Sequence, residues 1–363
     1  MSPTPRRTRP VHPLRRLRRT AATAVALAAG STVALTGTAT AQPQQTGHRT
    51  PVVDSTPVAK GLYQSAYSER NHVLWATTAV GRPPVTESAL LKLDPHTLAV
   101  RGSHTPPVTD QETGAMEAVY GVAVDDEHDT VWTTNTRDDS VAVYSQRTGR
   151  HLATLPNVPH ARDVVVDERH NTAWASGFGD GSVIGFDTRT FKEKKRITVE
   201  GAGPTGLALN KRTGTVYAAD LNGNRVIAVS PYANKPHFAP AGEGPISVAL
   251  SRDGRTAYTT DQTAGTLSVV DLRRNAVIRT VPTGEGPLSA ATDPRTGNVL
   301  VAHRADGNAS IVDPRRGTVL HTLATGANPN HITVHGRTAY ITTKSAAGPE
   351  SQDELTRVHL TRR

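Results

Sequence analysis

The side chains best suited to chemistry in this 363-residue chain lie in short polar segments at matching points of a recurring pattern. They are Tyr120, Arg137, His160, Arg162, Phe178, Arg225, His303, Arg304, Asn330, His331 and Lys344. Asp138, Asp139, Asp163, Asp180, Asp261 and Asp306 stand in the same segments. Four chemistries fit these types. Arginines and a lysine, with Tyr120 and Phe178 for stacking, suit a surface that holds a single nucleic-acid strand or another polyanion. The same arginines could pair with adjacent aspartates, Arg162 with Asp163 and Arg137 with Asp138, and merely stiffen the loops. His160, His303 and His331 could converge on one ion with Asp163, although no pair has ligand spacing along the chain. A carboxylate or histidine could also serve hydrolysis or elimination. Against that, the chain carries no nucleophile motif, no paired-carboxylate signature and no phosphate loop, and its lack of cysteine excludes thiol chemistry.

A repeat spaces those segments. Between Gly61 and Leu360 one unit recurs seven times: strand, turn, aromatic-bearing strand, loop, a third strand ending in a turn former, and a fourth strand. Its marker is the second strand, which carries Trp75, Trp132, Trp174, Tyr217, Tyr258, Leu300 and Tyr340 at intervals of 57, 42, 43, 41, 42 and 40 residues. A period near 42 made of four short strands is the signature of a β-propeller blade. The expected fold is therefore all-β, a seven-bladed propeller of four-stranded antiparallel blades at 61–106, 118–158, 160–202, 204–243, 245–285, 287–327 and 329–360. In that architecture the loop entering each inner strand and the loop between second and third strands surround one mouth of the channel, where ligands bind. The candidate residues come from those loops.

Local chemistry supports each blade. The inner strand is an apolar run ending in a turn former, as in Val164-Val-Val-Asp167 and Val248-Ala-Leu-Ser251. A polar turn such as Arg252-Asp-Gly254 follows, where glycine supplies the positive φ of a short hairpin. All three tryptophans and three of the eight tyrosines fall in the marker column, in a chain only 4% aromatic, so the column is expected to fill the gaps between blades. Small neighbours (Thr133-Thr134, Ala175-Ser176, Ala218-Ala219, Thr259-Thr260) would let the sheets approach. The seventh blade lacks a strand, and Val52–Val58 has no place in the first, so that segment is expected to close the ring and remove an open edge. Gly81–Ala89 and Thr105–Glu117 exceed the period and read as loops.

Residues 1–41 read as a signal peptide: seven arginines and no acid in the first 20 positions, an Ala/Thr-rich stretch from Ala21, then Ala39-Thr40-Ala41 before Gln42. Residues 42–51 read as a linker and 52–363 as the propeller. Cleavage after Ala41 would lower the formal charge from +9 to +2, so most of the basicity is a targeting label. The expected location is extracytoplasmic, reached by the general or the twin-arginine route, with no stable membrane insertion. No cofactor and no metal is implied.

The chain resembles the YncE-like family of exported YVTN-type propellers. Its most specific stretches are Lys60-Gly-Leu-Tyr-Gln-Ser-Ala-Tyr-Ser-Glu69 with Leu74-Trp75, Lys92-Leu-Asp-Pro95 with Thr97-Leu98, and His303-Arg304 followed by Ser310-Ile-Val-Asp313. The tetrapeptide of the family is present only approximately, as Trp132-Thr-Thr-Asn135. The resemblance implies a seven-bladed propeller beyond the cytoplasmic membrane. It also implies a candidate activity in single-stranded DNA binding, and no established enzymatic reaction. The combined expectation is a secreted binding module with a single-stranded nucleic acid or wall polyanion as partner. Its ligand set would be Tyr120, Arg137, Arg162, Phe178, Arg225, His303, Arg304, His331 and Lys344. The alternative is an extracytoplasmic propeller enzyme of the lactonase or lyase type.

Overall fold

The computed structural model describes residues 51–346, 348 and 351–361; the expected signal peptide and all but the last residue of the linker lie outside them. Seven four-stranded antiparallel sheets succeed one another around a ring. Blade 5 illustrates the unit: Pro245–Leu250 innermost, then Thr256–Asp261, Thr266–Asp271 and Ala276–Pro282 outermost. Its first hairpin turns at Gly254, φ +66°, where a Cβ would fall 2.3 Å from the Asn210 side chain of blade 4. Glycine therefore answers both the turn and the tight packing of neighbouring blades.

The marker column is the seam between blades. Trp75 packs with Val122, Val131 and Tyr144 of blade 2, Trp132 with Val164 and Phe186 of blade 3, and Trp174 with Leu207 and Val216 of blade 4. Tyr258 meets Val299 and Val301 of blade 6, Leu300 meets Ile332 and Ile341 of blade 7, and Tyr340 meets Leu62 and Leu74 of blade 1. Each large ring removes roughly 200 Å2 from water, on the order of 5 kcal/mol of gross transfer energy per junction. Tyr217 is the exception, packed against blade 5 but only half-buried. The small neighbours are buried, with Thr133, Thr134, Ala175, Ser176, Thr259 and Thr260 all at 0% exposure.

Val52–Ala59 pairs with Asp353–His359 as the outer strand of blade 7, in the order Val52–Ala59, Asp353–His359, Thr338–Thr343, Pro329–His335 from rim to channel. The ring is closed by the N-terminal strand.

The two insertions are more ordered than loops. The end of the first, Glu87–Ala89, begins the third strand Glu87–Leu93. Within the second, Val108–Asp110 pairs with Ala115–Met116. They meet where the Met116 amide donates to the Val85 carbonyl at 2.9 Å. Val85, Ala79 and Ala118 then form a small buried cluster against which Tyr63 and Tyr120 pack. The extra residues thus brace two rings at the channel mouth. No helix among the described residues is long and apolar enough to cross a membrane.

Candidate functional site

The channel is narrowed by one position of each inner strand, four residues before the strand's closing turn former. Its occupants are Gln64, Gly121, Asp163, Gly206, Ser247, Ser289 and His331. Their side chains accept hydrogen bonds from the next blade's inner strand. The amides of Val122 and Leu207 donate to Gln64 Oε1 (3.2 Å) and Asp163 Oδ2 (2.8 Å). Those of Ala290 and Ile332 donate to Ser247 Oγ (3.2 Å) and Ser289 Oγ (3.1 Å), and Ser65 N points at His331 Nδ1 at 3.4 Å. Two junctions use glycine because the strands approach too closely for a side chain: a Cβ on Gly206 would sit 2.9 Å from Ser247 Cα, and one on Gly121 3.1 Å from the Arg162 carbonyl oxygen of blade 3. Blade-to-blade polar contacts therefore replace disulfides in holding the ring.

Two members of this girdle titrate unusually. Burial pushes the Asp163 carboxyl up to about 6, against the Leu207 and Val164 amides, Gln64 and the Arg162 charge, which all pull it down. Burial alone drops His331 to about 4. A carboxyl raised in the folded state contributes stability below its unfolded value of about 3.9, and that contribution is lost as pH rises through 6. The Asp163→Asn protein keeps an acceptor for Leu207 N without the ionisation. Its melting temperature relative to the parent is expected to rise as pH climbs from about 4 to about 7, as thermal melts over a pH series would show. A difference independent of pH would mean that Asp163 ionises freely.

Above the girdle lies a cavity of about 260 Å3 with Tyr63, Tyr120, Arg137, His160, Arg162, Arg304 and Asn330 in its wall. The Tyr63 and Tyr120 rings meet edge to face, 4.5 Å between centroids. Lys344 Nζ sits 3.5 Å from the Tyr63 ring centroid and donates to the Leu62 carbonyl at 3.2 Å. Burial lowers the Lys344 amine to about 8, with Asp353 raising it and Arg304 lowering it. Burial raises the Tyr63 phenol, while Arg304, Arg137 and Arg162 hold it down. That phenol reports three guanidinium groups on its flanks. Asn330 anchors the rim by donating from Nδ2 to the Tyr63 carbonyl at 2.8 Å, and Arg304 Nη1 reaches Asn330 Oδ1 at 3.5 Å.

Among the described residues Arg137, Arg162, Arg304 and Lys344 make no ion pair within 4 Å. The expected pairs Arg162–Asp163 and Arg137–Asp138 do not form: Asp163 accepts from Leu207 N, and Asp138 from Ala118 N at 3.0 Å. Burial, with Arg137 beside it, works against the Arg162 charge, and Asp163 partly offsets this. Its guanidinium carbon lies 5.7 Å from the Phe178 ring centroid. The His160 ring lies nearby, tilted by 51° and 5.5 Å from that of Phe178, its basicity lowered by burial and by the two arginines.

The other candidates stand apart. Phe178 is half-buried behind Arg162, outside the cavity wall. Arg225 pairs with the buried Asp220 at 2.8 Å and lies over Phe238. His303 is fully buried, with Nε2 2.7 Å from Ser310 Oγ. It occupies the strand-end position held in blade 5 by Asp261, which accepts from Thr259, Thr266 and Ser268. His331 belongs to the girdle. His160, His303 and His331 do not share an ion site: among the described residues no three His, Asp or Glu side chains are grouped to hold one. Tyr63 and Gln64, at the start of blade 1, line the cavity and are not among the candidates drawn from the sequence.

No family model matches the chain. It is 26% identical over 246 residues to the uncharacterized protein YncE of Escherichia coli O157:H7, covering 62% of this chain and 65% of that one. The YncE proteins of Salmonella typhi and Escherichia coli K12 are also 26% identical, over 247 and 225 residues, with 65% and 51% of their lengths matched. The matched stretch is thus less than two thirds of each relative. Seven four-stranded blades closed by an N-terminal strand, together with this similarity, support a YncE-like β-propeller protein.

Proposed function

We propose that this protein is an extracytoplasmic binding module whose channel mouth holds a polyanionic strand, single-stranded nucleic acid or a comparable polymer. One observation carries the reading: Arg137, Arg162, Arg304 and Lys344 gather around the Tyr63–Tyr120 pair without a carboxylate partner within 4 Å among the described residues. Bringing like charges together around aromatic rings opposes folding unless an anion completes the set. Backbone phosphates would take the cations, and a base or sugar would lie on the exposed parts of Tyr63 and Tyr120. The 260 Å3 cavity beneath takes a single group rather than a folded partner.

Binding of an oligothymidylate and of a polyphosphate at low salt tests this, with an uncharged glucan as control. Four phosphate contacts predict a log–log salt slope of about −3 for a single strand. Absence of binding at low salt, or equal binding of the glucan, would remove the polyanion reading.

A further inference from the structure

The opposite end of the propeller carries a second charged surface that the mouth does not use. Each blade sends two turns there, one between its first and second strands and one between its third and fourth. In blades 4 and 5 the inner turns present Lys211, Arg212, Arg252 and Arg255, all exposed. The outer turns of blades 5 and 6 present Arg273, Arg274, Arg315 and Arg316, exposed as well. The aspartates of these turns shape them, and two also form loose ion pairs, Asp271 with Arg274 at 3.7 Å and Asp313 with Arg316 at 3.9 Å, which leaves Arg252, Arg255, Arg273 and Arg315 as the open cations. Asp271 accepts from the Arg273 and Arg274 amides, both at 2.9 Å, and Asp313 from those of Arg315 (3.0 Å) and Arg316 (3.2 Å). Asp253 accepts from Ser251 Oγ at 2.6 Å and the Arg255 amide at 3.1 Å. The turns of blades 1–3 at this end are mixed in sign, with Glu69, Asp126, Glu127, Asp129 and Glu168 against Arg70, Arg147, Arg150, Arg169, Arg189 and Lys192, whereas those of blades 4–6 are mainly cationic. This end of the molecule is therefore electrically lopsided.

We propose that the basic sector of this end, blades 4 to 6, docks the protein on an anionic lipid surface. Two features favour headgroups over a threaded polymer. The cations stand on the tips of separate turns in three blades, so a plane of phosphates meets them together while one strand crosses only some. The groove of about 680 Å3 among Arg252, Arg279 and Arg315 offers no open ring for a base, since Tyr258 in its wall is 6% exposed, and the open ring of the sector, Tyr232 (78% exposed) on the outer turn of blade 4, lies outside it. Beside that groove Ile278 is 50% exposed, an apolar side chain placed to enter the headgroup layer. The contact leaves the mouth facing away from the membrane.

Co-sedimentation with vesicles of phosphatidylglycerol and phosphatidylcholine in equal parts tests the inference, with phosphatidylcholine alone as control. The protein is expected on the anionic vesicles only, and to leave them as salt rises from about 50 to about 200 mM. Arg252→Glu with Arg273→Glu and Arg315→Glu should weaken partitioning by at least about a hundredfold with an unchanged melting temperature. The mouth variant Arg137→Ala, Arg304→Ala should partition like the parent, which separates this result from the fate of the mouth reading. Failure to bind anionic vesicles, or full binding by the triple variant, overturns the proposal. So does loss of vesicle binding in the mouth variant. Capture of soluble polyphosphate through these arginines without vesicle binding would also overturn it, in favour of a polymer.

Discussion

A chain beginning at Lys60 should melt roughly 10 °C below one beginning at Gln42, the size expected when several kcal/mol are lost from a domain of this length. The missing strand, Val52–Ala59, pairs from Val52 opposite His359 to Ala59 opposite Asp353. It also inserts Val58, 7% exposed, into the core shared by blades 7 and 1, and packs Val53 against that of blades 6 and 7. Ser55 Oγ and Thr356 Oγ1 hydrogen-bond at 2.8 Å, and Arg357 reaches Asp54 at 3.4 Å. Without the strand, Asp353–His359 becomes an open edge and the seventh blade packs on its neighbours with three strands. Nearest-neighbour coupling around the ring spreads that loss to both adjoining seams. Thermal melts of the two proteins measure it, accompanied by more aggregation in the shorter one. Equal melting temperatures would show that the ring does not depend on this strand.

The strand's role was legible because it follows from counting: a seventh blade with too few strands and an unassigned segment at the other end of the chain. Periodicity carried the seams as well, since Trp75, Trp132 and Trp174 recur at one place in the unit. The site was less legible because it depends on what happens between repeats. Arg225 follows Asp220 by five residues across a short loop, and that local pair takes the arginine away from the channel. His303 looks like a loop histidine until its position is matched to Asp261, after which its bond to Ser310 takes the place of the bond between Asp261 and Ser268. The girdle had a sequence signal, a constant offset from Ser68, Asp125, Asp167, Asn210, Ser251, Asp293 and His335. Its meaning is a side chain meeting the next blade's amide, which no single repeat contains. Tyr63 lies in Lys60–Glu69, one of the stretches that carry the family resemblance, and its place in the wall of the mouth depends on Tyr120 of the next blade.

Among the mouth cations, Arg137 and Arg304 should carry most of the affinity, and the double change Arg137→Ala, Arg304→Ala should weaken oligothymidylate binding by at least about a hundredfold, as two charge-assisted hydrogen bonds of about 1.5–3 kcal/mol each imply. Both side chains are exposed, on blades 2 and 6, and flank the Tyr63–Tyr120 pair. Neither supports the core, so the melting temperature should barely move. The salt slope should fall by about 1.4, since each phosphate contact on a single strand contributes about 0.7. Arg162 should behave differently. Its guanidinium lies against Phe178, beside Asp163, whose raised carboxyl already reflects incomplete compensation. Arg162→Ala removes a phosphate contact and also the charge that lowers Asp163, so it should reduce affinity and melting temperature together above pH 6. Anisotropy titrations at several salt concentrations, with melts of the same proteins, separate the two patterns. Unchanged affinity in the Arg137, Arg304 double variant would leave these arginines as rim residues without a ligand. An equal loss of stability in both variants would instead assign all three to the scaffold.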